Sequence, residues 1–181
     1  MEPAFIHTQS KVLVELVKEN KPFPNNNRLP YLLYKAVFEL PDKKAGSIVQ
    51  EIFALHQWSN AWKDGIYPYH HYHSITHEVL GVYEGACNVM LGGYDDTILH
   101  IEKGDVLVIP AGVAHKNVGS TDNFRCVGAY PDGMDFDINY GRPGERPQTD
   151  RNIAQVPLPA TDPVYGYGPM QDYWNANGGR E

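Results

Sequence analysis

His71, His73, Glu78 and His115 carry the chain's most informative chemistry: three imidazoles and one carboxylate in two short blocks. The first block runs from Gly65 through His71, His73 and Glu78 to Gly85, and the second from Gly104 through Pro110 and Gly112 to His115. Side chains two apart on a strand share a face, so His71 and His73 can aim two ring nitrogens at one point. Glu78 follows a Ser74-Ile75-Thr76 turn and opens the apolar run Val79-Leu80-Gly81-Val82, from which its carboxylate can return to the same side. His115 follows Pro110-Ala111-Gly112, where a fixed φ and then a permissive glycine predict a tight corner. Imidazole with carboxylate suits a transition metal. The competing reading is a polar edge strand, but burying two imidazoles and a carboxylate together is costly without a metal or other partners.

Elements must hold these groups in place. Gln9 to Asn20 reads as a helix, with Ser10 as N-cap and Val12, Leu13, Leu16 and Val17 as its apolar stripe. Tyr31 to Leu40 and Ser47 to His56 read as strands, with Trp58 to Asp64 connecting to the first block. Glu78 to Val82 and Ala86 to Leu91 form a hairpin around Glu84-Gly85, followed by Ile98 to Ile101, Val106 to Ile109 and Phe124 to Tyr130. Short strands with turns between them indicate a sandwich or barrel. From Pro131 the chain is rich in Gly, Pro and Asp, yet it carries Tyr140, Tyr165, Tyr173 and Trp174. An ordered arm wrapped on the outside is expected rather than a loose tail.

The two blocks resemble the two signature motifs of the cupin superfamily. Gly65, His71, His73, Glu78 and Gly85 fit the form G-x5-H-x-H-x3/4-E-x6-G. Gly104, Pro110, Gly112 and His115 fit G-x5-P-x-G-x2-H-x3-N, whose final Asn is replaced by Gly119. Eighteen residues separate Gly85 from Gly104, as in small bacterial cupins. Trp58-Ser-Asn-Ala-Trp62, Pro24-Asn-Asn-Asn-Arg28 and Asp162-Pro-Val-Tyr-Gly-Tyr-Gly-Pro169 are similar to the YjlB-type group. The resemblance implies an all-β fold, the cupin double-stranded β-helix or jelly-roll barrel. A short N-terminal helix (about 9–20), a barrel core (about 31–130) and a wrapping arm (131–181) would form a single domain over 1–181. It also implies His71, His73, Glu78 and His115 as ligands of one divalent transition metal: iron, nickel, manganese or zinc. Many cupins are homodimers, and Tyr31 to Phe38 could protect a sheet edge across such an interface.

Strand parity with His71 and His73 turns Tyr69 inward. Tyr69 is therefore a candidate catalytic acid beside Glu78, with a core aromatic as the alternative. His70, Tyr72 and His77 have the opposite parity, and Trp58 and Trp62 read as packing residues. The expected activity is that of a small-molecule metalloenzyme: an oxygenase, isomerase or decarboxylase. The alternatives are a non-catalytic module for a sugar-like or acidic metabolite, and a purely structural metal.

Composition narrows the partners. At 181 residues and 42% hydrophobic content the chain suffices for one core. A net charge of −7 without a Lys/Arg cluster argues against nucleic acid. No apolar stretch reaches spanning length and no secretory leader is evident, so no membrane partner and a cytoplasmic location are expected. Cys87 and Cys126 read as small buried apolar residues, not a disulfide framework.

Overall fold

A computed structural model describes residues 5–178. Strands β1 (Lys11–Val17), β2 (Asn26–Lys35), β3 (Trp58–Asp64), β4 (Glu78–Glu84), β7 (Val106–Ile109) and β9 (Arg125–Pro131) form a six-stranded sheet in the order β1-β2-β7-β4-β9-β3. Strands β5 (Ala86–Leu91), β6 (Ile98–Glu102) and β8 (His115–Ser120) form a second sheet in the order β6-β5-β8. All pairings between these strands are antiparallel. The two sheets face each other across Leu33, Leu80, Val82, Val89, Leu91, Ile101, Leu107 and Ile109, which is the jelly-roll arrangement.

The larger sheet is covered on its other face too. Leu32, Tyr34, Val79, Val108, Val127 and Ala129 point away from the barrel interior. They pack under helix α1 (Ala45–Leu55) and helix α3 (Pro169–Gly178) through Val49, Ile52, Phe53, Met170 and Trp174. Burial on both faces explains why Val79–Val82 and Val106–Ile109 are continuous apolar runs rather than alternating ones. Gly81 lets α1 approach: a Cβ there would lie 2.6 Å from Val49 Cγ1.

Four expectations are corrected. The segment read as an N-terminal helix is strand β1, paired with β2 from Lys11↔Lys35 to Val17↔Asn26. Its β-branched Val12, Val14 and Val17 suit a strand, with Val12 and Val14 on the helix-covered side and Leu13 and Val17 on the barrel side. Ser47 to His56, read as a strand, lies in α1, because Val49, Ile52 and Phe53 recur at helical spacing on one buried face. Tyr31 to Phe38 protects no edge: β2 lies between β1 and β7, and the sheet's edges are β1 and β3. Trp58 to Asp64, read as a connection, is edge strand β3.

The arm is ordered and carries helix α2 (Gln148–Gln155) as well as α3. The outermost residues of the domain and arm expected over 1–181 lie outside the described residues. Cys87 and Cys126 are free and buried, and burial pushes the Cys87 thiol up to about 12. No helix among the described residues is long and apolar enough to cross a membrane.

Candidate metal centre

The four residues of the two sequence blocks converge at one end of the barrel interior. His71 and His115 form an isolated antiparallel bridge, with backbone hydrogen bonds of 3.2 and 2.9 Å. Glu78 begins β4 on the barrel side, two residues before Leu80. The corner before His115 forms as expected, with Gly112 at φ +91° and Val113 N–H donating to Pro110 O at 3.2 Å. Each histidine offers a ring nitrogen, and these atoms lie within 4.8 Å of one another. All four side chains are buried.

Backbone carbonyls fix the rings. His71 Nδ1 meets Tyr69 O at 3.2 Å, His115 Nδ1 meets Val113 O at 3.1 Å, and His73 Nδ1 is bonded to the Asp137 carbonyl. A carbonyl only accepts, so each Nδ1 carries a hydrogen and each Nε2 is turned to the shared point. This is the orientation that metal-ligating imidazoles need.

Glu78 completes the set. Its Oε2 lies 3.4 Å from His73 Nε2 and 3.3 Å from His115 Nε2, and makes no well-aligned hydrogen bond. Burial opposes ionisation of Glu78, but His73 and His115 hold its carboxyl well below the usual range. Burial likewise opposes the His73 cation, yet the Glu78 carboxylate raises its pKa. Burial, with His115 adding to it, pushes His71 down to about 3, so it is neutral and able to donate a lone pair near pH 7. A buried carboxylate oxygen left without a good donor, facing three oriented imidazoles, fits a first-row transition metal.

Two supporting groups escaped the sequence reading. Tyr130, on β9, donates to Glu78 Oε1 at 3.2 Å and accepts from Trp62 Nε1 at 2.8 Å. Burial and the Glu78 charge raise the Tyr130 phenol, which keeps it a donor. Trp62 therefore does more than pack. Its indole occupies space left by Gly128, where a Cβ would come within 2.2 Å of the ring. The second group is Asp137, in the arm. It accepts from Ser74 N at 2.7 Å, Ser74 Oγ at 2.5 Å and Asn139 Nδ2 at 2.7 Å, while its own carbonyl orients His73. Asp137→Ala is expected to weaken metal binding about 10- to 100-fold through the loosened His73 ring. A competition titration with a chromophoric chelator reads this directly, and unchanged affinity would contradict it.

Tyr69 is corrected. It is 42% exposed, stacks on Tyr67 with ring centroids 4.9 Å apart, and does not line the cavity above the site. Residues 67–70 are not strand, because a bend at Pro68-Tyr69 breaks the parity on which the inward placement rested. His77 also faces away. Its Nδ1 accepts from Ala111 N at 2.9 Å and its ring packs on Trp174 at 4.7 Å. Burial pushes His77 down to about 4, whereas an unfolded histidine titrates near 6.5. As pH falls through that window the unfolded chain binds the proton first, so stability declines by about 1.4 kcal/mol per pH unit from this group. His77→Gln is expected to remove about one proton from the slope of urea-unfolding free energy between pH 6.5 and 4.5. An unchanged slope would rule out this origin.

The four residues floor a cavity of about 370 Å³, walled by Trp62, Tyr67, Leu80, Tyr130, Phe136 and Ile138. No family model matches the chain. The uncharacterized protein YjlB of Bacillus subtilis is 38% identical over 152 residues, 83% of this chain and 89% of YjlB. The chain belongs to the YjlB-type cupins. Among solved structures, acireductone dioxygenase from Bacillus anthracis, with a cadmium ion in its active centre, is 17% identical over 71% of this cupin and 83% of its own chain, at a TM-score of 0.39. The vicilin of Solanum melongena is 28% identical over 44% of this chain, at a TM-score of 0.35; the chain spans 24% of its length. Likenesses this low carry no argument about activity.

Proposed function

We propose that this cupin binds one divalent transition metal through His71, His73, His115 and Glu78 and acts there on a small molecule. The supporting observation is the convergence of three imidazoles, each oriented by a backbone carbonyl, with a buried carboxylate at the floor of an open cavity. A metal in this set supplies Lewis acidity or redox chemistry to a substrate group that reaches it. The chain's own residues do the rest. Glu78 is the group placed to ligate or to hold a proton, and Tyr130 keeps its carboxylate oriented by donating to Oε1. The apolar walls exclude water around whatever enters. An oxygenase, isomerase or decarboxylase is the reading favoured over a structural metal site, because the cavity leaves the floor reachable.

Elemental analysis of protein purified without added metal tests this. About one equivalent is expected in the wild type and less than about a tenth in His73→Ala. Failure of the wild type to take up metal even on reconstitution would overturn the reading.

A further inference from the structure

The walls of the cavity carry information about its ligand that the metal-binding residues do not. Leu80, Ile138, Phe136, Trp62 and Tyr67 surround the floor, and Tyr130 stacks on Phe136 with centroids 4.8 Å apart at 20°. The polar atoms of Tyr130 and Trp62 are already bonded to each other and to Glu78. Among the described residues Lys63 is the one lysine along the rim, and its ammonium is directed to Ser47 Oγ at 3.3 Å. Asp64 Oδ1 is taken by Gly65 N at 2.8 Å. Among the described residues no arginine lines the space.

A phosphate or second carboxylate placed against Leu80, Phe136 and Ile138 would lose hydration, and Lys63 at the rim is the one lysine or arginine that the described lining offers it. A polyol would set most of its hydroxyls against aromatic and aliphatic faces, with Asn60, Lys63, Asp64 and Tyr67 as the polar side chains available beyond the floor and Tyr130. An uncharged flat body would instead replace water along aromatic and aliphatic faces. Resting on the metal reading above, we propose that the site takes a ligand with a single chelating oxygen headgroup on an uncharged, planar apolar body. An aryl acid or aryl ketoacid has this form; a sugar, sugar phosphate or dicarboxylate does not. Phe136 and Ile138 come from the arm, so the arm helps to set this specificity.

Three hydroxamates that share one chelating head and differ in body isolate the walls from the metal. Zinc-loaded protein is titrated calorimetrically with acetohydroxamate, benzohydroxamate and gluconohydroxamate. Benzohydroxamate is expected to bind at least about tenfold tighter than acetohydroxamate, and gluconohydroxamate no tighter than acetohydroxamate. Phe136→Ala should reduce the aryl advantage to less than about threefold; Phe136 is 39% exposed, so its removal leaves the core intact. Ile138→Ala, checked for native circular dichroism, provides a second reading of the same wall. Equal affinities for the three probes, or a preference for the polyol, would overturn the assignment of the body. Absence of zinc uptake by the wild type would overturn the metal reading instead, so the two failures are distinguishable.

Discussion

His115→Ala is expected to weaken binding of a divalent transition metal by more than about a hundredfold while the barrel stays folded. Apparent binding energies of about 10–16 kcal/mol for four-ligand zinc sites correspond to about 2.5–4 kcal/mol per ligand. The loss is larger than an average contact because His115 is fixed twice. Its backbone bridges His71, and its Nδ1 is held by Val113 O, so Nε2 needs no reorganisation to ligate. The fold survives because His115 opens β8 at the edge of the barrel interior rather than filling its apolar centre. Removing one imidazole also relieves the crowding of His71, whose ring centroid lies 4.1 Å away. His77→Ala is the matched control. That ring is equally buried but turned toward Ala111 and Trp174, so stability should fall and metal affinity should not. Equal metal loss in both variants would show that affinity follows general stability rather than ligation.

Asp162→Ala should cost about 3–5 kcal/mol of folding stability, a large loss for a residue outside the proposed metal centre. Asp162 is fully buried where the arm returns across the helix-covered side of the larger sheet. Its carboxylate accepts from Tyr34 Oη at 2.6 Å, Val164 N at 2.8 Å, Tyr165 N at 3.0 Å and Met170 N at 3.1 Å. Alanine would leave four donors without their acceptor at a fully buried position. The damage should spread to α3, whose Trp174 is buried and donates to Pro30 O at 2.9 Å. Asp162→Asn keeps part of the acceptor set and should lose about half as much. Urea unfolding followed by tryptophan fluorescence measures both, and a loss under about 1 kcal/mol for the alanine variant would contradict the role given to Asp162.

The proposed metal-binding constellation is local enough to be read from spacing. His71 and His73 are two apart, Glu78 opens the next strand, and the Pro110–Gly112 corner delivers His115. The supporting residues are not local. Tyr130 reaches Glu78 across 52 positions and Asp137 reaches Ser74 across 63, through pairing and wrapping that no motif encodes. The misread elements have a similar origin. In β1 the sheet partner β2 decides between helix and strand, because Val12, Leu13, Val14, Leu16 and Val17 satisfy either period. In α1 the buried face is set by the sheet beneath it, and the loose alternation of Ser47 to His56 concealed the spacing of Val49, Ile52 and Phe53. Tyr69 shows the limit of parity, which holds only while the chain remains extended.

The central claim is that one cation is held jointly by these four side chains. A crystal soaked in zinc and measured on both sides of the zinc absorption edge tests it most directly. The expected result is a single strong anomalous peak enclosed by the Nε2 atoms of His71, His73 and His115 and the carboxylate of Glu78. A map without a peak there, or with zinc bound only by other residues, would contradict the account.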